Sequence, residues 1–314
     1  MTAGLALLLH VGAQVGWTSW SIHPSTVIGL AALGLVYLWS ARRAGRDSAL
    51  GAGHSAGGPG SIAEGRAPSA ERPSALQRGR FFAGLLVLFL SLNGPIHDLS
   101  DYYLFSGHMV QHLLLTLVAP PLLLSGVTGA MLRPALRVGG VRSAARFLTR
   151  TAICYALFNV TMAAWHIPAM YNAALDNHEI HIVEHLMFIA TAVLMWWPLL
   201  SPLPELPRAS YPAQMLYCFL MAIPMTIVAI YIAMADSLLY PAYASAPRLW
   251  GISPMEDQQY GGLIMWVPGG LFFYGVMSVV FFKWSRRGVD DTAGAQVDWV
   301  PAPPAPPLPG SSAR

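Results

Sequence analysis

Long apolar runs separated by short polar clusters dominate the chain, and many are of the length that crosses a bilayer. About 30 Å of hydrocarbon at 1.5 Å per helical residue calls for about twenty residues per crossing. Candidate spans lie near residues 24–41, 80–96, 105–131, 147–167, 180–200, 212–235 and 260–284. In lipid, backbone polar groups must be satisfied within the segment, so these runs predict helices. The expected fold is an all-α integral membrane protein, a bundle of about seven transmembrane helices over residues 23–287. A further apolar stretch at 5–15 has no Lys or Arg before it, so it lacks the charged start of a signal peptide, and it is short for a span, which predicts an interfacial or trimmed segment over 1–22. Residues 44–77 are rich in Gly, Ala, Ser and Arg and poor in large apolar side chains, as expected of a disordered linker. Residues 288–314 carry PAPPAPPLPG and read as an extended, disordered tail.

Composition agrees: with 55% hydrophobic and 11% charged residues, the chain has too little polar surface for a soluble globule. Charge then sets orientation, because Lys and Arg beside a span resist translocation. Seven arginines (Arg42, Arg43, Arg46, Arg66, Arg72, Arg78, Arg80) separate the first two spans and five (Arg133, Arg137, Arg142, Arg146, Arg150) separate the third and fourth. Arg208 lies between the fifth and sixth, and Lys283, Arg286 and Arg287 follow the last. The alternate loops hold Arg248 alone, which predicts the N-terminus outside and the C-terminus, linker and tail in the cytoplasm. The net charge of +3 is thus a matter of topology; membrane lipids are expected partners and nucleic acid is not. Cys154 and Cys218 fall inside spans without any CxxC spacing, so they are expected to be small buried hydrophobes.

On this topology nine of the ten histidines fall toward the outer face, His54 being the exception. His108 and His112 are four apart on one face of the third span, with Met109 beside them. His178, His181 and His185 form a stripe at the start of the fifth, with Glu184 adjacent, and His166 closes the fourth, four residues after Met162. Ionisable groups within spans are costly, so the paired positions point to function. Lone histidines such as His10, His23 and His97 are expected to cap carbonyls or sit in the interfacial belt. Imidazole with nearby thioether and carboxylate suits copper, zinc or haem iron. Most of the fourteen methionines are expected in the core, with Met109 and Met265 as candidate ligands. Glu256 and Asp257, in MEDQQ at the start of the last span, could orient imidazoles or cap that helix.

Four separated strings, FSGHMVQHLLLTLVAPPLLLSG from Phe105, WHIPAMYNAAL from Trp165, HIVEHLMF from His181 followed by WWPLL, and DQQYGGLIMWVPGG from Asp257, together resemble the CtaG-type cytochrome c oxidase assembly factors, over 20–284. The resemblance implies a multi-pass protein of the bacterial plasma membrane that helps form haem-copper oxidase, in contact with oxidase subunits, by delivering copper taken from a donor outside the cell membrane. It carries over to His108, His112, His166, His181, His185, Asp257, Met265 and Trp266 at matching motif positions. Copper bound through His108, His112, His166, His181, His185, Asp257, Met265 and Met109, passed on by ligand exchange without catalysis, is the leading expectation. Two alternatives remain. His181–His185 spells HxxEH, in which two imidazoles hold zinc and Glu184 activates water. Histidines of two spans could instead sandwich haem b.

Overall fold

The structure, a computed structural model, describes residues 20–54 and 72–297, with side chains over 20–46 and 72–287. The expectations for 1–19, 55–71 and 298–314 lie outside the described residues. Helices α1 (Pro24–His54), α2 (Ala75–Leu92), α3 (Pro95–Tyr102), α4 (Phe105–Gly126), α5 (Val141–Leu148), α6 (Thr151–Trp165), α7 (Pro168–Asp176), α8 (His178–Leu200), α9 (Tyr211–Ala233) and α10 (Pro254–Val297) account for most of these residues, and no strand occurs among them. Among the described residues, six helices are long and apolar enough to cross a membrane. A seventh crossing results if α5 and α6, bent by 75° at their junction, form one span. The chain is a multi-pass integral membrane protein.

Local chemistry fixes the helix ends. A capping box opens α2: Ser74 Oγ accepts from the Gln77 amide at 3.2 Å and Gln77 Oε1 from the Ser74 amide at 2.9 Å. Asn177 Oδ1 accepts from the amides of Glu179 and Ile180 and starts α8. Gly94, at φ 69°, and Pro95 at the first helical position end the second span at Leu92 and begin the separate α3. The expected continuation to residue 96 therefore fails at this turn. Helix also extends past two expected boundaries, as α1 runs to His54 into the 44–77 segment and α10 runs to Val297 into the 288–314 segment. Alanine and arginine propagate helix once a span has nucleated it.

Prolines inside spans leave carbonyls without an amide partner four residues on. In α4, π-helical Leu114–Val118 precedes Pro120 and Pro121, and the Trp196 indole donates to the Thr116 carbonyl at 2.9 Å, the group Pro120 cannot serve. Trp196 is thus buried and hydrogen-bonded. Two apolar cores result. The larger joins α4, α6, α8, α9 and α10; the smaller joins α1, α2 and the second half of α4. Glycines allow the closest approaches: a Cβ on Gly126 would lie 2.7 Å from the Gln77 carbonyl oxygen, and one on Gly262 2.7 Å from the Ala233 amide nitrogen. Exposed apolar side chains such as Ile28, Leu35, Ile227, Leu271 and Phe282 cover the perimeter, as a lipid-facing surface requires.

Candidate metal centre

The starts of α4 and α8 and the end of α6 meet at one end of the bundle, so their histidines share a depth. His108 and His112 lie one turn apart on α4, and their Nε2 atoms are 2.8 Å apart. His181 and His185 repeat this on α8, Nε2 to Nε2 at 3.2 Å. The two pairs face each other, with ring centroids 5.7 Å apart for His108 and His181 and also for His112 and His185. The His166 ring stands 6.0 Å from that of His112. All five rings are buried.

Glu184, on the same stripe of α8, points inward, its Oε1 3.6 Å from His112 Nε2 and 3.9 Å from His108 Nε2. Neither carboxylate oxygen has a hydrogen-bond partner, although the side chain is fully buried. A buried carboxylate without donors is costly, and a cation between it and the imidazoles would remove the cost. His166 is oriented for the same purpose: its Nδ1 donates to the Met162 carbonyl at 2.7 Å, which leaves a buried Nε2 with no partner. Among the described residues two overlapping groups could hold a metal ion, His108, His181 and His185, and His108, His112 and Glu184, each with ligand atoms within 4.8 Å of one another. Tetrahedral ligation at about 2.0 Å sets donors about 3.3 Å apart, so small side-chain adjustments suffice. The residues fit a metal ion, and His108 belongs to both groups.

Aromatic side chains close the site. Phe188 lies 4.5 Å from the His112 ring and Tyr171 5.1 Å from that of His108. Tyr243 bonds the Tyr171 hydroxyl at 2.9 Å and donates to the Ser100 carbonyl, while Tyr240 donates to the His166 carbonyl. The segment between α9 and α10 is thereby pinned over the histidines and excludes water from one side.

Other expected site residues stand elsewhere. Asp257 accepts from the amides of Phe105 and Ser106, at 2.7 and 3.0 Å, and from the Ser106 hydroxyl, and so caps α4 from α10. Glu256 takes part in the capping box that opens α10, its Oε2 accepting from the Ser253 amide. Met109 turns toward α10, its Cγ 3.2 Å from where a Cβ on Gly261 would stand. Met265 is buried in the same apolar core, and neither methionine belongs to the two ligand groups. His23 and His97, expected as lone interfacial residues, instead adjoin the cluster, while His10 lies outside the described residues. Asp101, not singled out from the sequence, lies 3.4 Å from His97 Nε2 and 3.5 Å from His181 Nδ1. Its separation of four from His97 was the available signal.

The family model of the cytochrome c oxidase caa3 assembly factors matches residues 63–287. The chain belongs to this family. The match takes in every helix of this assembly factor from α2 to α9 and α10 through Arg287; α1, with His23 just before it, lies outside. No curated protein and no solved structure matches the assembly factor.

Proposed function

We propose that this assembly factor binds copper among His108, His112, His166, His181, His185 and Glu184 on the outer side of the bacterial plasma membrane and hands it to a cytochrome c oxidase subunit. Membership of the family supplies the association with the oxidase. The observation that carries the copper reading is the convergence of five buried imidazoles on a buried carboxylate that has no donor. The distribution of arginines supports the outer location, with the N-terminus outside and the C-terminus in the cytoplasm.

Five donors in two overlapping groups, with His166 beside them, exceed what one ion needs. An ion held by one group can thus exchange ligands stepwise through His108, which suits transfer better than the closed shell of a structural zinc site. The role is non-enzymatic: Glu184 faces His108 and His112 as a ligand would, rather than standing free to activate water. The cavity lined by His23, His97, His178, His181 and His185 is about 40 Å³. It borders the buried centre through His181 and His185, and a cavity of this size suits an ion better than haem, which calls for a pocket about tenfold larger.

The test uses cells lacking the gene, complemented with wild type or with His112→Ala plus His185→Ala. The variant should reach the membrane at wild-type level yet leave the oxidase with haem and without copper. An oxidase fully loaded with copper in the variant cells would overturn the proposal.

A further inference from the structure

A second set of imidazoles lies between the buried centre and the surface. His23 and His97 meet edge to face at 4.5 Å, His178 lies 5.9 Å from His23, and the His97 ring lies 6.3 Å from that of His181. Exposure falls along this series, from exposed His178 through half-buried His23 to His97 at 5% and His108 at 1%. His23 Nε2 is nonetheless buried and has no partner. The cavity that His23, His97, His178, His181 and His185 line holds a volume of about 40 Å³, enough for one ion or a water or two.

His23 is held here. Its amide donates to Asn93 Oδ1 at 2.8 Å, Ser21 bonds Asp98 and accepts from the Gly94 amide, and Trp20 packs on Gly94. The chain ahead of α1 is thereby tied to the α2–α3 turn, although α1 itself makes few core contacts. Asp101 then joins the two sets, its Oδ2 lying 3.4 Å from His97 and 3.5 Å from His181.

We infer that His23, His97 and Asp101, with His178 at the mouth, form an entry site that captures the incoming metal ion and passes it through His181 to the buried centre. This rests on the copper reading of that centre. Capture needs imidazole nitrogens and a carboxylate with a path to water, which this set offers and the aromatic-covered centre does not. Transfer is a ligand exchange without redox change: the bond to His97 breaks as one to His181 forms, with Asp101 retained on the ion between the two. His23 precedes the residues that the family model matches.

The experiment loads full-length protein in lipid nanodiscs with Cu(I), supplied as a weak chelate, and follows uptake by stopped flow and by copper analysis at equilibrium. Four proteins are compared: wild type, His23→Gln plus His97→Gln, His178→Ala, and His112→Ala plus His185→Ala. The first variant should take up copper about tenfold more slowly than wild type, with the tightly held copper at equilibrium unchanged. His178→Ala removes an exposed ring, leaves the packing intact and should slow uptake to a smaller extent. His112→Ala plus His185→Ala should lose tightly held copper and retain a weak, fast-exchanging equivalent. Unchanged uptake rates in both outer variants would overturn the entry site and leave the buried centre standing. Loss of tightly held copper in the His23/His97 variant would also overturn it, since those residues would then be ligands of the centre. Wild type that takes up no copper would overturn the copper reading itself.

Discussion

Glu184 and Asp257 are both fully buried carboxylates, yet their surroundings give them different work. Asp257 is satisfied by two amides and a hydroxyl, so Asp257→Ala strands the Phe105 and Ser106 amides. It should cost about 1–3 kcal/mol in a detergent unfolding titration, and metal content per folded protein should be unchanged. Glu184 has no donor to lose. Glu184→Gln should therefore leave the unfolding midpoint at or above that of wild type while lowering copper affinity about 10–100-fold in a competition titration. His23 adds a pH effect. Burial, and then His97 and His178, lower its pKa below the usual 6.5. The unfolded chain thus takes up this proton first as the pH falls, and the stability held above pH 6.5 is lost below it. Thermal unfolding at pH 7.5 and 5.5 should show a larger loss for wild type than for His23→Gln. The paired histidines were legible in the sequence because both partners share one helix face, at i and i+4. The partners of Asp257 were not, since they lie about 150 positions away on another helix, where periodicity carries no information. Met109 shows the converse: adjacent to His108 in sequence, it is rotated about 100° around the helix and so meets α10.

The helices position the centre through close contacts that glycine permits and through carbonyls that prolines free. A Cβ on Gly262 would meet the backbone of α9 at 2.7 Å, whereas one on Gly270 meets nothing within 4 Å. Gly262→Ala should therefore destabilise by about 1–3 kcal/mol by forcing α9 and α10 apart, and Gly270→Ala should be neutral or slightly stabilising. Parallel thermal scans of the two variants test this contrast. About seven spans were readable from the apolar runs, since bilayer thickness sets their length, and the described residues hold six such helices, or seven with α5 and α6 as one. Their interruptions were less so. The 75° bend between α5 and α6 and the separate α3 depend on one or two residues of turn geometry, at Thr149, Arg150, Gly94 and Pro95, inside stretches that hydropathy averages over.

At the scale of the molecule, one end of the bundle gathers imidazoles and carboxylates while arginine marks the other, so the protein is chemically polar along the membrane normal. The aromatic cover of Tyr171, Tyr240 and Tyr243 closes the centre on one side, and the His23, His97 and His178 set opens it on another. On the proposed function, an oxidase subunit receiving copper approaches this end. The central claim is that the buried histidines and Glu184 hold copper, and metal analysis of protein purified without chelators or a histidine tag tests it most directly. Wild type should carry copper in an all nitrogen and oxygen environment by X-ray absorption, with no Soret band, and His112→Ala plus His185→Ala should carry none. Wild type and variant with equal copper, or wild type with zinc, haem or no metal at all, would contradict the account.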